Sequence, residues 1–251
     1  MKFRFSVVIL SLVLVFCLTL PAFADNLSSG ELPETIYYLP KDNVDFALDP
    51  ELDYLIVGEH QPISTEFVTQ MLKRAVTLPN DVDGDTIAVE NATYTAYTRL
   101  RWRLLEEYGI EIGVWDAYRT ASDEASISGA DYDPSTYAYN EHCTGLLLNV
   151  VVKFKVHDPE SGEEKEWYYN EAAVRTRDDL PAEVVLEPFE ILDSLLADYG
   201  FIQRFPEGKE ILTGHEYNPN KIRFVGNPTV AHAVMDNHLC LEEYVATLAA
   251  P

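Results

Sequence analysis

Apolar positions recur along this chain at two spacings, and each spacing predicts a different element. From Thr65 to Val76, apolar side chains fall at Phe67, Val68, Met71, Leu72 and Ala75. That is one stripe of a helix, with Ser64 placed to cap its first turn. From Thr93 to Tyr108 the stripe is Tyr94, Tyr97, Leu100, Leu104, Leu105 and Tyr108, and Gly109 follows as a C-cap. Behind Pro188, the segment FEILDSLLADYG repeats the design with Phe189, Leu192, Leu195, Leu196 and Tyr199, closed by Gly200. A shorter helix is expected over Ala231–His238, and LEEYVATLAA closes the chain. Short apolar runs predict strands at 53–58, 110–117, 145–155, 166–169, 201–205 and 221–225. PNDVDGDT (79–86) and HDPESGEEKE separate such runs as polar turns. Asp81–Asp85 hints at a calcium loop, but Gly84 comes two residues too early and no glutamate closes it, so a turn is expected. Helices and strands mix without βαβ regularity. The pattern predicts an α+β fold with a largely antiparallel sheet flanked by helices.

The chain's first residues follow a different logic. Residues 1–24 place Lys2 and Arg4 before a long apolar stretch ending in Ala22-Phe23-Ala24, the layout of a secretory signal peptide. An uncleaved membrane anchor is the alternative. Cys17 does not suit a lipid-attachment site, because bulky Phe16 precedes it and apolar residues continue after it. Residues 25–50, rich in Pro, Asp, Asn and Ser, are expected to be an extended leader, and 51–251 a single domain. The expected location is outside the cell, secreted or associated with a bacterial cell wall. The net charge is −24, and about −26 once Lys2 and Arg4 are removed. Such acidity repels nucleic acid and anionic membrane surfaces, leaving cationic partners or ligands held in a local basic pocket. Cys143 and Cys240 remain after cleavage, and the spacing leaves open whether they pair.

Few polar groups lie on the predicted rigid elements. Arg119 follows a strand, His142 precedes one, and Asn149 lies within it. Asn218, Lys221 and Arg223 lie on or beside a later strand. Each also has a plain structural explanation: a hydrogen-bonded core histidine, a surface salt bridge. HExxH, a nucleophile elbow, a Gly-rich phosphate loop and a CxxC pair are all missing.

Their order and spacing carry more. The chain gives Tyr118-Arg119-Thr120, then NEHCTGLLLN, then ADYGFIQRFPEGKEILTG, then NPNKIRFVG, then LCLEEY. In this order they resemble the motifs of the VanY-like D-alanyl-D-alanine carboxypeptidases, zinc enzymes of bacterial cell-wall metabolism. The corresponding family patterns are Y-R-S, S-x-H-x-x-G-x-A-x-D, Y-G-F-I-x-R-Y-P-x-G-K-x-x-T-G, E-P-W-H-x-R-Y-V-G and L-E-E-Y. The likeness covers the segment from Trp115 to the C-terminus, with no gap from Tyr199 to Gly226. It implies the D-Ala-D-Ala carboxypeptidase and hedgehog-type fold, and a peptidoglycan stem peptide or another carboxylate-terminated peptide as partner.

The departures bear on activity. The resemblance implies zinc ligands at His142, Asn149 and Lys221 and a general base at Asn218; of these positions only His142 keeps the family's residue. Asn140 replaces the leading serine and Asn220 the tryptophan. A catalytic zinc takes three protein ligands and one open position. Asparagine is a weak neutral ligand, and a protonated lysine repels a dication. Asn218 cannot take the proton of a metal-bound water. No cofactor is therefore expected. Arg119 matches the family arginine that faces the substrate, and with Lys221 it would form a cationic pocket suited to a carboxylate.

Three readings follow. The first is a catalytically degenerate binder of stem-peptide termini. The second is an active zinc carboxypeptidase whose site is rebuilt, for which His215, Glu216 and Cys143 lie nearby in sequence. The third is an interaction domain with a vestigial cleft.

Overall fold

Thr65–Leu72 is the first α-helix among the described residues, α1, and Ser64 caps it by accepting a hydrogen bond from Phe67 N. This computed structural model describes Leu55 and residues 63–249, apart from positions 83, 85, 132 and 159. The expected signal peptide and leader, and the strand at 53–58 except Leu55, lie outside the described residues.

α1 is shorter than its stripe suggests. Ala75–Pro79 leaves the helix as strand β1 and pairs antiparallel with β2, Thr86–Glu90. The polar turn at 79–86 is thus the tip of a hairpin. Leu78 and Val89 are buried on it. Helix α2, Asn91–Arg103, runs straight from β2, and the Glu90 carboxylate caps it at Thr93 N. It passes into a π-turn at Leu104–Tyr108, which ends on Gly109 in the left-handed conformation, φ 68°. Its buried face is Tyr97, Leu100 and Leu104, whereas Tyr94, Leu105 and Tyr108 of the predicted stripe are exposed.

The main sheet is built around one long strand. β3 is Ile112–Asp116, β4 is Leu147–His157 and β5 is Glu164–Tyr169. Helix α3, Ala121–Ser128, lies between β3 and β4, and α4, Glu171–Thr176, follows β5. Helix α5 is Glu187–Leu195, with Pro188 in its first turn, and Gly200 (φ 76°) turns the chain into β6, Phe201–Phe205. A short helix α6, Glu210–Thr213, precedes β7, Asn218–Phe224. Helices α7, Pro228–Met235, and α8, Leu241–Ala249, follow it. The order is β3-β4-β7-β6, with β5 also on β4, and every pairing is antiparallel. The fold class is α+β, as the hydrophobic pattern implies.

Alternation along β4 and β7 divides the sheet into two faces. Leu148, Val150, Val152, Phe154, Ile222 and Phe224 join the larger core. Asn149, Lys221 and Arg223 stand on the other side, where Asn149 pairs with Lys221 and Leu147 with Arg223. Ile202, Val225 and residues of α7 and α8 close that side with a second core. Cys143 and Cys240 are buried free thiols, so the possible disulfide is not formed.

A buried ion network fastens these parts together. Glu141 accepts from Arg204 Nη2 at 2.8 Å and from Arg223 Nε at 3.0 Å. Arg204 also donates to Glu242 on α8 at 2.6 Å. All four side chains are essentially inaccessible to water. Among the described residues, two carboxylates face two guanidiniums. Burial alone would raise the Glu141 pKa, but Arg204 and Arg223 outweigh it and hold the carboxyl at about 2, below its ordinary 4.5.

Removing one member leaves an uncompensated buried charge, which costs about 3–5 kcal/mol. Glu141→Gln is expected to lose stability of about that size in urea unfolding at neutral pH. Because the folded-state pKa is depressed, the wild-type advantage is complete above pH 4.5 and fades as pH falls toward 2. A gap between the two proteins that stays constant across that window would contradict this assignment.

Candidate functional site

The turn that carries His142 is set by its neighbours in sequence. Residues Glu141–Thr144 form a short 3-10 turn, and Asn140 caps it by accepting from His142 N at 3.0 Å. An asparagine serves this capping role as well as the serine it replaces. Gly145 ends the turn at φ 71°, and a Cβ there would lie 2.9 Å from Glu90 N. Only glycine fits so close to that backbone. Glu141 is drawn into the ion network, so the adjacent His142 is pressed against the polar face of the sheet.

His142 is buried, and its Nδ1 lies 2.5 Å from the Ala117 carbonyl oxygen. A carbonyl only accepts, so Nδ1 carries the proton and Nε2 keeps a lone pair. Among the described residues, Nε2 has no hydrogen-bond partner. Burial, then the nearby charges of Lys221 and Arg119, press the imidazole pKa down to about 3. The ring is neutral throughout the physiological range.

Asp116 is the hub of the site, and sequence reading missed it. Its carboxylate is held by both Arg119 Nε, at 3.0 Å, and Arg119 Nη2. It accepts from Asn149 Nδ2 at 2.9 Å and lies 3.9 Å from His142 Nε2. The sheet register explains the meeting, since Asp116 pairs with Asn149 across β3 and β4. Arg119 Nη1 also donates to Glu124 on α3 at 3.0 Å. That helix was missed as well. Its signal was the capping box of Thr120 and Asp123, whose N-terminal hydrogen bonds are both present. Most of its residues are exposed, which left no apolar stripe to read.

The structure therefore brings Arg119, His142, Asn149 and Lys221 together around Asp116. Arg119 is bound by two carboxylates and does not stand free. Lys221 makes no hydrogen bond or ion pair among the described residues, and its Nζ sits 5.5 Å from the centre of the Phe205 ring. Burial first, then Arg119, lowers its pKa. Asn149 Oδ1 is a second buried acceptor with no partner among the described residues. Each unpaired acceptor costs about 1–3 kcal/mol. Asn218 turns its amide oxygen back to Asn220 N at 3.1 Å, and Asn220 Oδ1 accepts from Ala172 N at 3.2 Å on α4. His215 packs its ring against Phe205, with centroids 4.3 Å apart. Burial pushes the Cys143 thiol up to about 12, so it holds its proton. A surface groove of about 320 Å³, lined by Tyr94, Tyr97, Arg101 and Trp102 among others, shares no residue with this cluster.

These donors do not fit a three-ligand catalytic zinc. His142 is poised as a metal-binding histidine is, with Nε2 bare and Nδ1 fixed by a carbonyl. The other positions offer an amide, an ammonium and a carboxylate already committed to Arg119. Among the described residues, no three His, Cys, Asp or Glu side chains cluster in a way that could hold a metal ion.

Comparison with known proteins gives the site a context. No protein-family profile matches the chain. YodJ of Bacillus subtilis (strain 168), which bears the name of a carboxypeptidase, is 30% identical over 146 residues. The match takes in 54% of this chain and 46% of YodJ, so the chain spans less than half of that relative. VanXYC of Enterococcus gallinarum, a bifunctional D-Ala-D-Ala dipeptidase and carboxypeptidase, is 27% identical over 159 residues, 59% of this chain and 74% of VanXYC. The fold is similar to VanYB in complex with D-alanine-D-alanine, with a TM-score of 0.51 and 19% identity, covering 77% of this chain and 98% of that one. The relatives and structural neighbours are thus D-Ala-D-Ala carboxypeptidases of the VanY and VanX type.

The tautomer of His142 is open to direct measurement. Nitrogen-15 NMR is expected to show Nδ1 protonated, Nε2 bare and no titration of this ring between about pH 5 and 8. A ring that titrates near its ordinary value of 6.5 would show that the burial described here is wrong.

Proposed function

We propose that this chain, similar in sequence and fold to VanY- and VanX-type carboxypeptidases, binds the C-terminal end of a peptidoglycan stem peptide without cleaving it. The observation that carries this reading is the presence of Asn218 and Lys221 together on β7. At the first position a neutral amide replaces the base, so nothing there accepts a proton from an attacking water. At the second, an ammonium without an ion-pair partner among the described residues stands in a half-buried site, where a carboxylate gains most from a charge-assisted bond. Arg119, steadied by Asp116 and Glu124, lines the same site and adds a second cation whose charge is already balanced.

The signal-like residues 1–24 support a place outside the cell. The strong acidity of the chain fits that setting, since it keeps nucleic acid and anionic lipid away from a pocket meant for a peptide.

A titration of a peptide ending in D-Ala-D-Ala, followed by calorimetry, tests the reading. Wild type is expected to bind it and to ignore the same peptide with an amidated terminus. Lys221→Met is expected to weaken binding about tenfold, the loss of one charge-assisted bond. Arg119→Ala should weaken it as well. An assay for released D-alanine should stay at background. No binding by wild type ends the peptide reading, and D-alanine release together with stoichiometric zinc ends the non-catalytic one.

A further inference from the structure

Between β1 and α2 lies the groove of about 320 Å³, apart from the Asp116 cluster. Leu78 and Tyr97 are buried beneath it, and Pro79 borders it. Tyr94 and Trp102 of α2 line it with rings that are 36% and 56% exposed. Such rings gain from a ligand that takes them out of water. Of the lining residues only Arg101 is charged, and its Nη2 lies 3.3 Å from Glu111 and 3.9 Å from Asp81. Those carboxylates balance the guanidinium, so the groove offers no free charge to an anion, and the guanidinium itself opposes an ammonium. An uncharged ligand suits it. A guanidinium carries five N–H donors. Among the described residues, only Nη2 of Arg101 makes a hydrogen bond, so the others are open to a neutral acceptor.

We infer that this groove binds the uncharged sugar rings of a glycan strand. A pyranose ring has a flat face of C–H bonds and a rim of hydroxyls. The C–H face lies against the electron-rich face of an aromatic ring, here Tyr94 or Trp102. The hydroxyls accept from Arg101 and reach water. An aliphatic side chain would cover the rings but leave the Arg101 donors unused. Small-ligand sites span about 300–1,000 Å³, so the groove has room for about one or two rings and none for a folded partner. Its edge is tied to the strand that carries the peptide site. Asn80, next to Pro79, donates from Nδ2 to the Trp115 carbonyl at 2.9 Å. Asp81 holds both the N–H and the carbonyl of Val114, each at 3.1 Å. Both contacts fall on β3 just before Asp116, which fixes the groove relative to the cluster. Peptidoglycan joins the two chemistries in one polymer, because its stem peptides hang from a glycan. The inference deepens the reading above and rests on it only for the kind of glycan.

The probe is triacetylchitotriose, a soluble neutral trimer of N-acetylglucosamine, added to the full chain while nitrogen-15 NMR follows the indole N–H signals of Trp102, Trp115 and Trp167. The Trp102 signal is expected to move saturably, and that of Trp167, on β5, to stay in place. Trp102→Ala and Tyr94→Ala, each shown to be folded by circular dichroism, should bind the trimer about tenfold more weakly than wild type. Both should bind the D-Ala-D-Ala-terminated peptide as wild type does. A trimer that leaves Trp102 unmoved overturns the inference, as does one that binds both folded variants as tightly as wild type. Saturable binding of N-acetyl-leucine amide at Trp102, with none of the trimer, would assign the groove to apolar side chains and overturn it too. Trimer bound without peptide counts against the peptide reading alone, and peptide bound without trimer counts against this inference alone.

Discussion

Glu141 shared between Arg204 and Arg223 is the interaction on which the rest of this structure depends. It joins the turn before β4 to two strands of the sheet, and through Arg204 and Glu242 it reaches the last helix. Segments far apart in sequence meet at one carboxylate that water does not reach. A buried ion cluster is not a cheap way to stabilise a fold, since each charge has lost its hydration. What it supplies here is position: a set of directional, charge-assisted hydrogen bonds admits one arrangement of its parts. His142, the next residue along, inherits that precision.

The site follows from this placement and from the register of the sheet. β4 lies between β3 and β7 at its first half, so Asn149 has Asp116 on one side and Lys221 on the other. Among the described residues, the site keeps a balanced charge count. Arg119 and Lys221 face Asp116 and Glu124, with the histidine neutral between them. A bare Nε2 and a bare amide oxygen are the site's remaining electrostatic imperfections.

Much of the fold was legible in the sequence because it rests on patterns of short range. The Pro188 helix, the Gly109 and Gly200 stops and the apolar runs of β4 and β6 all declare themselves locally. The β1–β2 hairpin did not, because Ala75 and Val76 also continue the stripe of the preceding helix, and only pairing with 89 and 90 decides between the two. α2 and the π-turn bury Tyr97, Leu100 and Leu104 of the stripe, but Tyr94 is exposed and the π-turn carries Leu105 and Tyr108 outward. In the site, His142, Asn149, Lys221 and Arg119 could be picked out by their spacing. Asp116 could not, since its importance lies in a neighbour 33 residues away, across a strand pair. The clamp on Arg119 was hidden for the same reason, along with the helix that brings Glu124 to it.

The pairing of Asp116 with Asn149 has a consequence for how such a site changes over time. On one face of an antiparallel sheet, adjacent positions on neighbouring strands are nearly interchangeable addresses. A charge erased at one can be rewritten at the other without moving the backbone. Read along the chain, the acid at 116 and the amide at 149 lie 33 residues apart and look unrelated. Seen across the strands, they are next-door neighbours, so a change of charge at either address is felt at once by the other.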